Sequence, residues 1–461
     1  MRRPLPALLP VLLSLLALPG LAAAAPDPAT LREERVAALL DAFLQGRDDV
    51  AGAHFDARLR AGLPPARLSE VRAGLAAQLG EVRGRGAVRH GCSEGLATVW
   101  QRLDYERGAL DARVAFDGEG RISGFFLVPP QQATPCPGVA PAPDTADDVA
   151  ALPAGVRELP LTVDAGGWPL PGRLTLPAGA GPFPAVVLVH GSGPNDADQT
   201  VFARAPFRDL AHGLALRGIA SLRYDKRTRV HPARLQARHP DLTLDDEVVD
   251  DAVAALDLLA GRPEIDAARR VVVGHSLGAL LAPRIALRAR DAGSAPAGVA
   301  LLAAPSRPLH WIVVAQVEHL AAQQGIADTQ VAELRRQAAR IDALAAGQDP
   351  GAGPLMLGLP ATWWRDLAGY DAVATARALD LPIFIGHGGR DYQVVDADLA
   401  GWQAGLAGHA LLTVRTWPAL DHLLGVGEGP SYPADYQRGA PVAAEAIEDL
   451  AAWIAGLPAT R

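Results

Sequence analysis

Lysine is nearly absent from this chain: Lys226 stands alone among 43 basic residues in a sequence of 461. The 51 acidic residues bring the formal net charge to -8. Nucleic-acid binding is carried by clustered Lys and Arg that release counterions, so this balance argues against a polyphosphate-binding surface. The arginines accompany abundant Ala, Gly, Pro and Leu and reflect composition bias, not a functional patch. Aromatic residues make up only 5%, and there are 2 cysteines. No internal repeat and no long run of charge is present. Metal-ligand spacing is missing too: His231, His239 and Asp241 lie in an Arg/His-rich loop, but they form no recognisable zinc pattern. What the chain does have is 49% hydrophobic against 20% charged residues, enough for a large core and too much sequence for one small domain.

The sequence begins with Arg2 and Arg3, an apolar run from Leu5 to Leu18, then Pro19-Gly20 and the small residues Ala22 to Ala25. This is the layout of a secretory signal over residues 1–25, with cleavage after Ala24 or Ala25. A run of about fourteen residues is short for a bilayer span, so no stable membrane insertion is expected after cleavage. An uncleaved N-terminal anchor is the competing reading. Export to the periplasm or medium follows from the first reading. In an oxidising compartment the pair Cys92 and Cys136 is expected to be a disulfide, two unpaired thiols being the alternative.

Residues 26–130 predict a small α+β domain: helices over Thr30–Leu44 and Ala66–Leu79, then strands at Ala87–His90, Ala97–Tyr105, Ala109–Phe116 and Ile122–Val128, with a hairpin at Asp117-Gly118. A Pro/Ala/Asp-rich linker, 131–154, follows. From 155 to 461 continuous apolar strands alternate with amphipathic helices, starting with a hairpin of Glu158–Val163 and Arg173–Pro177. Strands are expected at Ala185–His190, Ile219–Tyr224, Arg270–Gly274, Gly298–Ala303, Pro382–Gly386 and Leu411–Thr416. Helices are expected at Phe202–Arg217, Thr243–Leu259, Leu277–Arg290, Val395–Leu406 and Val442–Ile454. This alternation predicts an α/β fold with a mostly parallel sheet and helices on both faces. It is interrupted over about 306–368 by a helical segment with the character of a cap.

The pattern G-x-S-x-G occurs twice, so context has to choose. Gly91-Cys92-Ser93-Glu94-Gly95 is flanked by strands on both sides. Gly274-His275-Ser276-Leu277-Gly278 has an apolar strand before it and a helix after it. Only the second holds a serine at a sharp strand-to-helix turn, where a base can reach its hydroxyl, and Ser276 is the expected nucleophile. The helix N-terminus offers the Leu277 N–H to a developing oxyanion. A second donor is expected from Ser192 or Gly193 in His190-Gly191-Ser192-Gly193-Pro194, with His190 structural; a ligand-free Gly/Pro turn is the bland alternative. Acid and base should follow in that order. Asp391 ends His387-Gly388-Gly389-Arg390-Asp391 after one strand, and His422 follows the last strand. His387 and His409 compete for the base, and Asp396 and Asp421 for the acid. Trp311, Trp363 and Trp364 in the inserted segment are candidates for bordering an acyl pocket, against ordinary core packing.

Together with Asn195-Asp196 and Tyr224-Asp225-Lys226-Arg227, these motifs make the chain resemble the bacterial α/β-hydrolase carboxylesterases that carry a small N-terminal α+β domain. Pro283 inside the post-serine helix fits that group. The resemblance covers residues from about 155 onward closely and Thr30 to Pro130 loosely. It departs at Ala197, where relatives usually carry Arg, and at Thr228, where Gly is customary. It implies an α/β-hydrolase fold and cleavage of short-chain acyl esters, with a small-molecule ester as partner and no metal or organic cofactor. Thioester or amide cleavage, including peptidase action, is the catalytic alternative. A non-catalytic binding protein on the same scaffold is the alternative from another class.

Overall fold

The structure, a computed structural model, describes residues 28–128 and 152–458 apart from 94, 95, 325, 327, 352 and 354. The expected signal segment 1–25 and most of the expected linker 131–154 lie outside these residues.

A separate N-terminal domain carries a four-stranded antiparallel meander in the order β1 (Val82–Ser93), β2 (Leu96–Tyr105), β3 (Gly108–Phe116) and β4 (Ile122–Val128). Helix Pro28–Leu44 lays Val36, Leu39, Leu40 and Phe43 against Val99, Leu103, Val114 and Phe116 in a core of its own. β1 is longer than the expected Ala87–His90. Its pairing with β2 shifts register between Val82 and Gly84 and between Arg85 and Val88, an irregularity that hides the alternation in the sequence. Two short helices, Asp48–Ala51 and Ala57–Gly62, fall below what periodicity can reveal.

The second unit is built on eight more strands. They are β5 (Arg157–Asp164), β6 (Pro169–Leu176), β7 (Phe183–Val189), β8 (Ala220–Tyr224), β9 (Ile265–His275), β10 (Gly298–Leu302), β11 (Ile383–Gly388) and β12 (Leu412–Trp417). Their order across the sheet is β12-β11-β10-β9-β7-β8-β6-β5. The β5–β6 hairpin and the β6–β8 pair are antiparallel, and the remaining pairs are parallel. β7 shows why both faces must be covered. Val187 and Val189 enter one core with helices Asp250–Ala260 and Leu277–Asp291, while Val186 and Leu188 enter the other with helices Pro206–Ala215 and Ala444–Ala455. At about 25 cal/mol per Å² of apolar surface, a strand buried on both faces contributes strongly, which is why these runs read as uninterrupted Val and Leu.

The inserted segment forms helices Leu309–Gln324, Asp328–Ala345 and Ala361–Ala368. Ile341, Leu344, Trp363 and Trp364 join the hydrophobic cluster of the sheet face beneath, so the cap is packed onto the fold. Two helices begin later than their sequence pattern suggests. The one expected from Phe202 starts at Pro206, whose ring suits the first helical turn and keeps the preceding residue, Ala205 at φ -136 and ψ 67, out of the helical region. The one expected from Thr243 opens with a π turn, Asp245–Val249, before continuing as helix Asp250–Ala260. Strand order doubles back at β7, and the crevice at the carboxyl ends of such strands is where ligands bind in open α/β sheets.

Candidate functional site

β9 ends at His275, and the chain then turns through Ser276 into helix Leu277–Asp291. Ser276 sits at φ 55, ψ -117, a conformation L-residues rarely adopt. Its N–H is held by the Leu302 carbonyl at 3.0 Å. The turn is possible only with glycine on either side: a Cβ on Gly274 would overlap the Gly278 backbone, and one on Gly278 would overlap the Val189 and His190 carbonyls. The other G-x-S-x-G serine, Ser93, ends β1 in a strand hairpin with no helix after it.

The parallel register carries the next strands to the same edge. Gly388 of β11 lies beside Trp417 of β12, and the residues that follow each strand meet. His422 Nδ1 donates to Asp391 Oδ2 at 2.7 Å. The other carboxylate oxygen, Oδ1, accepts from the Gln393 and Val394 N–H groups at 2.8 and 2.9 Å. With Nδ1–H committed to the acid, Nε2 is the nitrogen left to accept a proton. The sequence-level competitors are engaged elsewhere. His387 pairs with Asp396 at 3.0 Å, His409 bonds the Leu379 carbonyl at 3.1 Å, and both Asp421 oxygens are taken by Arg204 Nη1 at 2.9 and 2.8 Å. Among the described residues no hydrogen bond joins Ser276 Oγ to His422. The two loops meet through His275, whose ring centroid lies 4.7 Å from that of His422.

β7 pairs with β9 so that Val189 lies beside Gly274, which sets the His190–Gly193 loop against the serine turn. A Cβ added to Gly191 would stand 3.2 Å from Ser276 Cβ, so Gly191 is the loop residue packed on the serine. His190 is buried against Phe207 and Tyr224, donates from Nε2 to the Asp196 carbonyl at 2.9 Å, and is pushed down to about 3 by burial. Gly193 adopts φ 97, where a side chain would be strained. Both departures from the family pattern make contacts here: Ala197 N–H donates to Asp225 Oδ1 at 2.8 Å, and Thr228 Oγ1 to the Gly193 carbonyl at 3.3 Å.

Several residues that sequence reasoning passed over complete the arrangement. Gln199, itself at φ 51, accepts the Gly191 N–H on Oε1 at 2.9 Å and donates from Nε2 to His275 Nδ1 at 2.8 Å. His275 Nε2 donates in turn to the His422 carbonyl at 2.8 Å. Burial pushes His275 down to about 3, so the ring is neutral and its tautomer follows from these partners. Lys226 Nζ reaches the Gly191 carbonyl at 3.0 Å and Glu247 Oε1 at 2.6 Å. The π turn swings Glu247 inward, as such turns do at functional sites, and Trp363 Nε1 closes on its Oε2 at 2.7 Å. His275 and Lys226 stand inside motifs the sequence displays, though nothing there assigned them these partners; Gln199, Glu247 and Trp363 carried no signal of this arrangement.

The tryptophans do not share one pocket. Trp363 and Trp364 are each 1% exposed and packed edge to face, whereas Trp311 is 39% exposed and bonds Asp342. A cavity of about 510 Å³ opens beside Asp391, lined in part by Arg307, His319, Arg390 and Tyr392; none of the tryptophans lines it. Cys92 is disulfide-bonded, and Cys136, the other cysteine, lies outside the described residues. Among the described residues no helix is long and apolar enough to cross a membrane.

The sequence profile of the Alpha/beta hydrolase family matches residues 186–457. Esterase EstD from Thermotoga maritima is 36% identical over 352 residues, 76% of this chain and 78% of that protein. Among solved structures the chain is similar to Est1E from Butyrivibrio proteoclasticus, at 16% identity over 64% of this chain and 99% of that one, with a TM-score of 0.41. It is also similar to the esterase from Pyrobaculum calidifontis, at 19% identity, 65% and 85% coverage, and a TM-score of 0.41.

Proposed function

This chain belongs to the alpha/beta hydrolase family, and we propose that it is a carboxylic ester hydrolase working through an acyl-enzyme formed on Ser276. Ser276 Oγ attacks the ester carbonyl carbon while its proton passes to His422 Nε2. Asp391 holds the imidazole in the required tautomer and stabilises the imidazolium. The tetrahedral oxyanion is met by the Leu277 N–H and by an N–H of the Ser192–Gly193 turn. Collapse breaks the C–O bond to the alcohol, which leaves with the proton from His422. Water, deprotonated by the same nitrogen, then releases the acid and regenerates the serine.

The observation that carries this reading is the His422–Asp391 bond at 2.7 Å beside a serine held in a strained strand-to-helix turn. The Ser276–His422 hydrogen bond that this mechanism needs forms once substrate is bound, since catalytic hydrogen bonds are commonly long or unaligned without it. Short acyl chains are the proposed substrates, and export is the proposed setting. A disulfide-bonded Cys92 supports export, since such bonds persist in oxidising compartments.

The test is hydrolysis of p-nitrophenyl acetate, butyrate and octanoate by the wild type and Ser276→Ala, with a thioester and a peptide anilide in parallel. Wild-type ester turnover that falls to background in Ser276→Ala, together with labelling of Ser276 by a fluorophosphonate, is expected. Ester turnover surviving in a folded Ser276→Ala protein moves the chemistry elsewhere. Cell fractionation reads the export proposal directly.

A further inference from the structure

Neither the nucleophile, the acid nor the base makes use of the chain's single lysine, yet it is 2% exposed and its ammonium is committed at the heart of the site. Lys226 Nζ donates to the Gly191 carbonyl at 3.0 Å and pairs with Glu247 Oε1 at 2.6 Å, and Glu247 is fixed in turn by Trp363 Nε1 at 2.7 Å. Burying such a pair is costly, and a well-packed apolar pair of similar volume serves stability as well or better. The position of this one therefore calls for another reason.

That reason lies in the geometry of the peptide that Lys226 grips. In a trans peptide the C=O of one residue and the N–H of the next point in opposite directions from one rigid plane. Fixing the Gly191 carbonyl therefore fixes the direction of the Ser192 N–H. The Gly191 N–H is fixed as well, by Gln199 Oε1 at 2.9 Å, so Gly191 is held on both sides. Gly191 also faces the serine turn, where an added Cβ would stand 3.2 Å from Ser276 Cβ. Among the described residues the Ser192 N–H has no hydrogen-bond partner. A cation on the carbonyl end of a peptide polarises it and strengthens its N–H as a donor. The neutral amide of Asn195 reaches the Gly191, Ser192 and Gly193 carbonyls alike, at 3.2, 3.1 and 3.4 Å, so what sets the Gly191–Ser192 peptide apart from the next one, which carries the Gly193 N–H, is the ammonium on its carbonyl.

We infer that Lys226 is a positioning residue for the oxyanion site: acting through the Gly191 carbonyl, it aims and polarises the Ser192 N–H, which is the second oxyanion donor. This rests on the acyl-enzyme reading and refines it. The Glu247 carboxylate, swung in by its π turn, keeps the ammonium in place.

The kinetic test compares Lys226→Met with Arg227→Met. Arg227 is equally buried, pairs with Asp251 and packs on Trp168, and among the described residues its guanidinium makes no hydrogen bond to the Gly191 loop. Lys226→Met is expected to lower kcat for p-nitrophenyl butyrate by about 100-fold, the low end of what loss of an oxyanion donor costs, with KM within about threefold. Arg227→Met is expected to lose a comparable amount of thermal stability while keeping kcat within about threefold. Wild-type kcat in Lys226→Met, or equal kcat losses in the two variants, overturns the inference.

A second measurement needs no substitution at this position. Because the chain has one lysine, lysine labelled with ¹⁵N at Nζ gives a single ammonium resonance. Phosphonylation of Ser276 in the wild-type enzyme, with loss of fluoride, places the polar phosphoryl oxygen of a tetrahedral group at the Ser192 N–H, and that resonance is expected to shift. An unmoved resonance in fully modified enzyme overturns the inference even if Lys226→Met fails to fold. Ester turnover and Ser276 labelling of the wild type report on the acyl-enzyme reading separately.

Discussion

The ring of His275 donates from Nε2 to the main-chain carbonyl of His422 at 2.8 Å, so the residue before the serine carries the loop of the imidazole. On its other side Nδ1 accepts from Gln199, which also holds Gly191. One neutral, fully buried imidazole thereby ties together three loops that follow three different strands. The tie is rigid because each atom has one role: Nδ1 can only accept when Nε2 carries the proton.

Removing the middle of that tie leaves two buried groups without partners. Gln199→Leu strands the Gly191 N–H and His275 Nδ1, at a cost of about 1–3 kcal/mol each. Urea denaturation should register that loss, and kcat for a short-chain ester should fall with it as the Gly191 loop loosens. A variant of wild-type stability would mean that the loop does not depend on Gln199.

Two aspartates near the imidazole are expected to separate by assay. Asp391→Asn keeps the shape of the acid but donates where it should accept, so kcat should drop by about 10⁴-fold in a protein that still folds. Asp421 instead neutralises Arg204 and accepts the Leu423 and Gly425 N–H groups at 3.0 and 3.1 Å. Asp421→Ala leaves a buried arginine unpaired and should lower unfolding free energy by about 3–5 kcal/mol. Denaturation curves and kcat measured on both variants distinguish the roles.

Acid stability should carry the mark of His275. Its folded value is held near 3 by burial, below the ordinary 6.5, so beneath pH 6.5 the unfolded chain binds a proton that the folded one refuses. Wild-type stability therefore falls on acidification, by about 1.4 kcal/mol per pH unit from this group alone. His275→Gln removes that dependence. The gap between wild type and variant in denaturant titrations should shift by this slope between pH 6 and 4, in the variant's favour as pH falls. Glu158 acts lower down: held near 2 although burial opposes it, by His212, Arg223 and Thr175, it adds stability above pH 4.5 that is lost as pH falls toward 2.

Gly278 admits no side chain. A Cβ there meets the Val189 and His190 carbonyls, at and just beyond the end of the central strand β7, which cannot yield. Gly278→Ala should push helix Leu277–Asp291 off the sheet and abolish fluorophosphonate labelling, read by gel fluorescence alongside circular dichroism. Full labelling of that variant would show that the serine turn tolerates displacement.

The serine turn, the strand-and-helix alternation and the placing of Asp391 and His422 after neighbouring strands were legible in the linear chain. Local physics writes them there: strands buried on both faces need unbroken apolar runs, a sharp turn needs glycine, and a hairpin needs a turn residue such as Asp117. Helix starts were less legible where local chemistry competed, as at Pro206, or where a π turn left the 3.6-residue period, as at Glu247. The tryptophans Trp363 and Trp364 illustrate the same limit, because composition could not tell an open pocket wall from a packed core. Only the tertiary structure chose the partners of Gln199, His275 and Lys226. Gln199 meets its histidine 76 residues away and His275 its carbonyl 147 residues away, and a hydrogen bond across such separations leaves no periodic trace in sequence. It exists because the register of β7 on β9 puts Val189 beside Gly274, and a register is a property of two strands together.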